Sequence, residues 1–178
     1  MSKLILLNGA VAVGKSTITE RYLNEHPLAL GISGDNIIVM LGQWLQHEPE
    51  AWNMVFEFTK ALTATHLKTG HDVVLPYLLV HPGHVEAFEA LAQQHNAQFY
   101  EVLLYADRED AIQRALQRGT WGEPGSPPLT AADRPILEEK YDTMMQIVSA
   151  RPQTIKIPAT KGAVEETYAQ FLAAISRP

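Results

Sequence analysis

The chain has 178 residues, enough for one well-buried core and too few for two comfortable domains, so 1–178 reads as a single domain. Apolar residues make up 46% of it and charged residues 19%, a globular composition that excludes wholesale disorder. The formal net charge of -6 speaks against a general nucleic-acid binder, although a net charge leaves room for a local cationic site. With no cysteine, disulfides, thiolate catalysis and Cys-ligated zinc are excluded. The apolar run at the N-terminus is short and is interrupted by Gly14-Lys15, which does not make a secretory signal. No stretch reaches the roughly 18–20 apolar residues that span a bilayer. A cytoplasmic protein is expected, with neither membrane nor nucleic acid as partner, and with an oligomeric state that the sequence does not specify.

In chain order, residues 3–8 form a short apolar run that stops at Gly9, the pattern of a strand buried on both faces. Residues 15–25 read as a helix with Ile18, Tyr22 and Leu23 on one stripe, stopped by His26-Pro27. A second apolar run covers 28–32, and Ser33, Asp35 and Asn36 offer N-caps for a helix to about Gln46. After a turn at 47–50, a long helix is expected over 51–69, ended by Gly70. The third run is 73–80, and Pro82-Gly83 opens a helix to about Gln94. A fourth strand follows at 98–105, then a helix over 108–118 capped by Asp107. Residues 119–130 contain three Gly and three Pro, a long loop for a compact domain. A helix over about 131–150, a strand at 154–157 and an amphipathic helix at 164–175 complete the chain. Apolar strands alternating with helices imply a parallel sheet covered on both sides.

The specific signal is Gly9-Ala10-Val11-Ala12-Val13-Gly14-Lys15-Ser16, a full match to the phosphate-binding loop GxxxxGK[ST] between an expected strand and an expected helix. Phosphate oxygens must approach the backbone closely, so glycine stands where a Cβ would collide or φ is positive. Successive N–H groups running into the helix at Thr17 make an anion-binding concavity. Lys15 supplies a charge at the β- and γ-phosphates of ATP, and the Ser16 hydroxyl is a ligand for Mg²⁺. Asp35 follows the second strand, where side chains emerge at the carboxyl edge beside this loop. A carboxylate there can orient and deprotonate an attacking hydroxyl; an N-cap is its plainer role. Arg114 and Arg118, four residues apart, share one helix face leading into the 119–130 loop.

With that loop in place, the layout is similar to the small P-loop kinases: shikimate and gluconate kinases, nucleoside monophosphate kinases, and above all the chloramphenicol phosphotransferase and zeta-toxin-like group. The resemblance implies a three-layer α/β/α P-loop NTPase fold with a five-stranded parallel sheet in the order 2-3-1-4-5. It also implies a lid at about 119–130, a helical acceptor-side insertion at about 36–69, and ATP-dependent transfer to a small hydroxylated acceptor. It makes Asp35 the base, as in the chloramphenicol phosphotransferase group. Arg118, Arg114 and, past the loop, Arg134 become clamps on the phosphoryl groups, and the 158–162 loop with Thr160 a contact for the adenine. Trp121 stacks on a ligand or anchors the lid. Met40, Trp44, Trp52, Met54, Phe56 and Phe58 suit a ring-bearing acceptor or simple packing, and Tyr77 is a hydrogen-bonding candidate.

One departure is visible. The third strand ends in Pro76-Tyr77-Leu78-Leu79-Val80, followed by His81, with no terminal carboxylate of the Walker B kind, which leaves Mg²⁺ to Ser16, phosphates, water and Asp35. His81 and His84 are spaced i, i+3, and a substrate or surface role is expected for them rather than metal binding. Two rivals to the kinase reading stand beside it: an ATP-binding switch or regulatory module, and a toxin or nucleic-acid-end kinase of the same architecture.

Overall fold

The computed structural model describes residues 1–176. Five strands, β1 (Lys3–Gly9), β2 (Leu30–Gly31), β3 (Val73–Tyr77), β4 (Gln98–Tyr105) and β5 (Ile155–Pro158), form one sheet in the order β2-β3-β1-β4-β5. Every pairing is parallel, as the expected fold class requires. The helices are α1 (Lys15–Glu25), α2 (Gly34–Ile38), α3 (Glu48–Leu67), α4 (Pro82–Gln94), α5 (Arg108–Arg118), α6 (Arg134–Ser149) and α7 (Val164–Ile175).

The strands are apolar on both faces because both faces are covered. Ile5, Leu7, Val74, Val102 and Leu104 pack under Ile18 and Tyr22 of α1 and Tyr168 and Phe171 of α7. Alternate residues Leu4, Leu6, Val73 and Leu75 meet Val55 and Leu67 of α3 and Val85, Phe88 and Ala92 of α4. Leu103 meets Met144 and Val148 of α6 on that second side. Three layers therefore result, with β1 at the centre and completely buried from Leu4 to Leu7.

Several boundaries differ from the sequence-based expectations. The helix expected to reach Gln46 stops at Ile38. The β-branched run Ile37-Ile38-Val39 favours helix weakly, Met40 and Leu41 bond back to Ile37 and Ile38, and Gln43 takes a left-handed φ of 55. A 3-10 turn at Trp44–Gln46 then brings Trp44 into the core. Most of the expected 47–50 turn is already helix: α3 starts at Glu48 with Pro49 in its first turn, where its missing N–H leaves no helical bond unmade. β3 ends at Tyr77 rather than Val80, because the amide of Leu79 turns to the side chain of Asn8 instead of continuing the ladder. A 3-10 turn at Ala131–Asp133, closed by a Thr130/Asp133 capping box, precedes α6.

Candidate active site

Parallel strands deliver their following loops to one edge of the sheet, where ligands bind in open α/β folds. The loop between β1 and α1 is held there by its backbone. A Cβ on Gly9 would stand 2.6 Å from Leu104 O and 2.7 Å from Val13 Cγ1, so only glycine lets the chain pass between β4 and its own loop. Asn8, fully buried one residue earlier, accepts from Gly9 N at 2.7 Å and Leu79 N at 3.0 Å. It thereby ties the start of the loop to the segment after β3. Gly14 is the N-cap of α1, with φ 107 and no capping side chain.

The first backbone bond of α1 runs from Ile18 N to Gly14 O at 3.1 Å. The amides of Lys15, Ser16 and Thr17 therefore have no helical acceptor and carry the positive end of the helix dipole. The Lys15 ammonium donates to Gly9 O at 2.7 Å and Ala10 O at 2.8 Å, which places it over the first arm of the loop. Burial lowers its pKa to about 8, and Arg118 pushes the same way while Asp35 opposes both. Exposed Ser16 makes no hydrogen bond through its hydroxyl among the described residues.

Asp35 sits in the first turn of α2, which Ser33 rather than Asp35 begins. Its place is fixed from below, where Gly34 packs so closely that a Cβ would meet Trp52 and Val55 of α3 at 3.2 Å. Burial and the carboxylate of Glu123 raise the Asp35 pKa, while Lys15 and Arg118 pull it down. Lys15, Asp35 and Arg118 thus form one electrostatic group, although their elements are far apart in sequence. Glu123 belongs to the same group and was not anticipated; within a Gly/Pro-rich loop no periodic pattern marks where a side chain points. The contact is direct at its neighbour: a Cβ on Gly122 would lie 2.7 Å from Asp35 Oδ2 and 2.9 Å from Arg118 Nη2.

The three candidate arginines separate by their partners. Arg118 makes no ion pair or hydrogen bond with any described residue. Arg114 is bound to Asp110 on its own helix and donates to Ala159 O at 2.7 Å, which joins α5 to the loop after β5. Lys161 Nζ reaches Gln117 Oε1 at 3.4 Å across the same join, and Thr160 between them is exposed. Arg134 is held by Glu109 on α5 and by Glu138 at 2.8 Å. Trp121 packs against the buried cluster of Ile112, Ala115, Leu129 and Leu137, which Val11 of the phosphate loop also meets, so it ties the 119–130 loop to α5 and α6.

A second wall rises beside β1. Tyr77 lies opposite Asn8 in the sheet register, and its hydroxyl is 3.0 Å from His84 Nδ1. Phe56 of α3 stacks on the His84 ring at 3.8 Å and 11°, with Lys60 over the Phe56 ring. Burial, His81 and Lys60 together lower the His84 pKa to about 4, which leaves a neutral imidazole at ordinary pH. Burial pushes Tyr77 up to about 12. Among the described residues no group of three or more His, Asp or Glu is arranged to hold a metal, and no helix is long and apolar enough to cross a membrane.

A phosphate loop on the central strand of a 2-3-1-4-5 parallel sheet defines a P-loop protein of the small-kinase architecture. The family model for the AAA domain matches residues 4–133, and the chain belongs to that family. No curated protein matches it in sequence. Among solved structures, it is similar to a gluconokinase from Sinorhizobium meliloti, with a TM-score of 0.60 at 15% identity over 98% of this chain and 92% of that one. The tunicamycin resistance protein of Deinococcus radiodurans gives a TM-score of 0.59 at 11% identity, covering 99% and 98%. An APS kinase from Mycobacterium tuberculosis, solved with AMPPNP and APS, gives 0.59 at 16% identity, covering 99% and 98%. At these identities the likeness is one of fold.

Proposed function

We propose that the protein is an ATP-dependent phosphotransferase that moves the γ-phosphoryl group of ATP to a hydroxyl of a small molecule in the cytoplasm, such as an antibiotic, nucleoside or metabolite. The observation that carries this reading is the meeting of Lys15, Asp35 and an unpaired Arg118 at the carboxyl edge of the sheet. Gluconokinase, the tunicamycin resistance protein and APS kinase, all similar in fold, support a small acceptor.

The residues divide the work as follows. The free amides from Lys15 to Thr17 and the loop backbone from Gly9 to Gly14 bind the phosphates, and Arg114 with the Thr160 loop borders the adenine. Asp35 accepts the proton of the acceptor hydroxyl as its oxygen bonds to the γ-phosphorus and the bond to the ADP oxygen breaks. Its raised pKa makes it a better proton acceptor than an exposed aspartate. Arg118 meets the charge on the transferring group, whereas Arg134, the other expected clamp, is engaged by two glutamates.

Mg²⁺ fits the donors present: an unpartnered Ser16 hydroxyl in the first turn of α1, with the Asp35 carboxylate across the site. When bound, it would neutralise phosphate charge. Residues 119–130 act as a lid, since Gly122 and Glu123 bear on Asp35, and 36–69 with Tyr77 and His84 form the acceptor side of one 1–178 domain.

The test is mass spectrometry of products after incubation with MgATP and a panel of hydroxylated antibiotics, nucleosides and sugars. Gain of one phosphoryl group on a compound, abolished by Lys15→Ala, is the expected result. ATP binding without transfer to any alcohol would favour a regulatory ATP-binding module instead.

A further inference from the structure

Helix α6 carries two cations, Arg134 and Lys140, and they differ in what surrounds them. Arg134, in its first turn, is satisfied by Glu109 and Glu138. Lys140 is half-buried and has no hydrogen bond or ion pair to any described residue. The sequence explains why. Its helical neighbours three and four positions away are Ile136, Leu137, Thr143 and Met144, so α6 offers it no carboxylate at the spacing that pairs side chains on a helix.

Lys140 lines a small cavity together with Ala10 and Val11 of the phosphate loop, Leu78 after β3, and Tyr141. Tyr141 is fixed there by its hydroxyl, which donates to Ala106 O at 2.8 Å. The lysine stem therefore lies beside the same arm of the loop whose Ala10 carbonyl receives the Lys15 ammonium at 2.8 Å. A partly buried ammonium without an anion is less stable than one that has it, and a flexible four-carbon stem can deliver its charge to a ligand.

We propose that Lys140 binds the terminal phosphate of the nucleotide and forms, with Arg118, the pair of cations that grips it. The assignment rests on the reading that the loop holds a nucleoside triphosphate. Phosphates nearer the nucleoside go to the amides at the start of α1. The terminal one then lies toward the Gly9–Val11 arm, where Lys15 already sits and which Lys140 flanks from α6. Arg134 was the expected second cation from its position just past the loop; its two glutamate partners remove it, and Lys140 takes the place.

The discriminating measurement is calorimetric binding of Mg·AMPPNP and Mg·ADP to the wild-type protein, Lys140→Ala and Lys140→Arg. Removing a charge-assisted contact to the terminal phosphate should weaken AMPPNP by about tenfold or more and leave ADP within about twofold, with most of the loss recovered in Lys140→Arg. Equal weakening of both nucleotides with a lowered Tm would mean that the stem only packs, and would overturn the assignment. Unchanged binding of both would overturn it too, and a raised KM for an anionic acceptor would then place Lys140 on that acceptor. If the wild-type protein binds neither nucleotide, the nucleotide reading itself falls, and this assignment with it.

Discussion

The backbone of Gly122 rests on the carboxylate of Asp35, leaving 2.7 Å between Asp35 Oδ2 and the place a Cβ would occupy. With φ at +125, this backbone is one that only glycine adopts without strain. Gly122→Ala should therefore push the 119–130 loop off Asp35 and Arg118. Turnover is expected to fall about tenfold or more, with little change in Tm because the loop lies outside the sheet core. Steady-state kinetics combined with limited proteolysis of the loop measures both effects. Wild-type turnover in this variant would show that the contact does not matter to the reaction.

Asp35→Asn keeps the shape of the side chain and removes its capacity to accept a proton. Nucleotide binding should persist, and transfer should drop by about 10²–10⁴-fold. Single-turnover kinetics beside calorimetric binding of ATP separates the two. Undiminished transfer would return Asp35 to a purely structural place in the first turn of α2.

The lowered pKa of Lys15, about 8, gives the free protein an alkaline limb. Above that pH the amine becomes neutral and ceases to attract phosphate, so kcat/KM for ATP should decline as pH rises through about 8, well below the usual lysine range. Lys15→Arg, which stays charged, should lose most activity to altered geometry yet show no such limb. A flat wild-type profile to pH 10 would contradict the burial of this ammonium.

Arg118 and Arg134 should part in mutagenesis. Arg118→Ala removes an unpaired guanidinium beside Lys15 and Asp35, and a loss of about 10³-fold in kcat is expected for a group that meets transition-state charge. Arg134→Ala breaks its pairs to Glu109 and Glu138 and should act mainly through a modest fall in Tm, since such pairs are partly exposed. Equal kinetic losses would restore Arg134 as a clamp.

His84 supplies a stability test independent of any substrate. Its pKa falls from 6.5 to about 4 on folding, so between those values the unfolded chain binds more protons and stability rises with pH. Its contribution is intact above about pH 6.5 and is lost as pH falls toward 4. Tm measured across that range for wild type and His84→Asn should show the variant gaining on the wild type as pH drops. Parallel curves would place the imidazole in water rather than against Phe56.

Much of this protein is legible from one dimension. The alternation of apolar runs with helical stripes specified a parallel sheet covered on both sides, because strands buried on both faces need apolar residues at every position. The loop from Gly9 to Ser16 was recognisable as a phosphate-loop pattern because close approach to phosphate would demand glycine, lysine and a hydroxyl at set spacings. Asp35 was visible as a carboxylate at the exit of a strand. The end of α2 was not, since a weak helix former goes whichever way packing pulls it, and burial of Trp44 pulled the chain into a turn.

Which arginines are free was decided only in three dimensions. Arg114, Arg118 and Arg134 look alike as letters; Asp110 and the Ala159 carbonyl claim the first, Glu109 and Glu138 claim the third, and the second is left beside Lys15. Glu123 and Lys140 came to light only through the fold, one on a loop without period and one on a helix face whose neighbour is the phosphate loop. The sheet, its covering helices and the glycine-bounded loop after β1 could be read from the residues alone, because those follow from local spacing. Which charges stand unpaired around that loop emerges only from the fold, because pairing depends on residues brought together from distant parts of the chain.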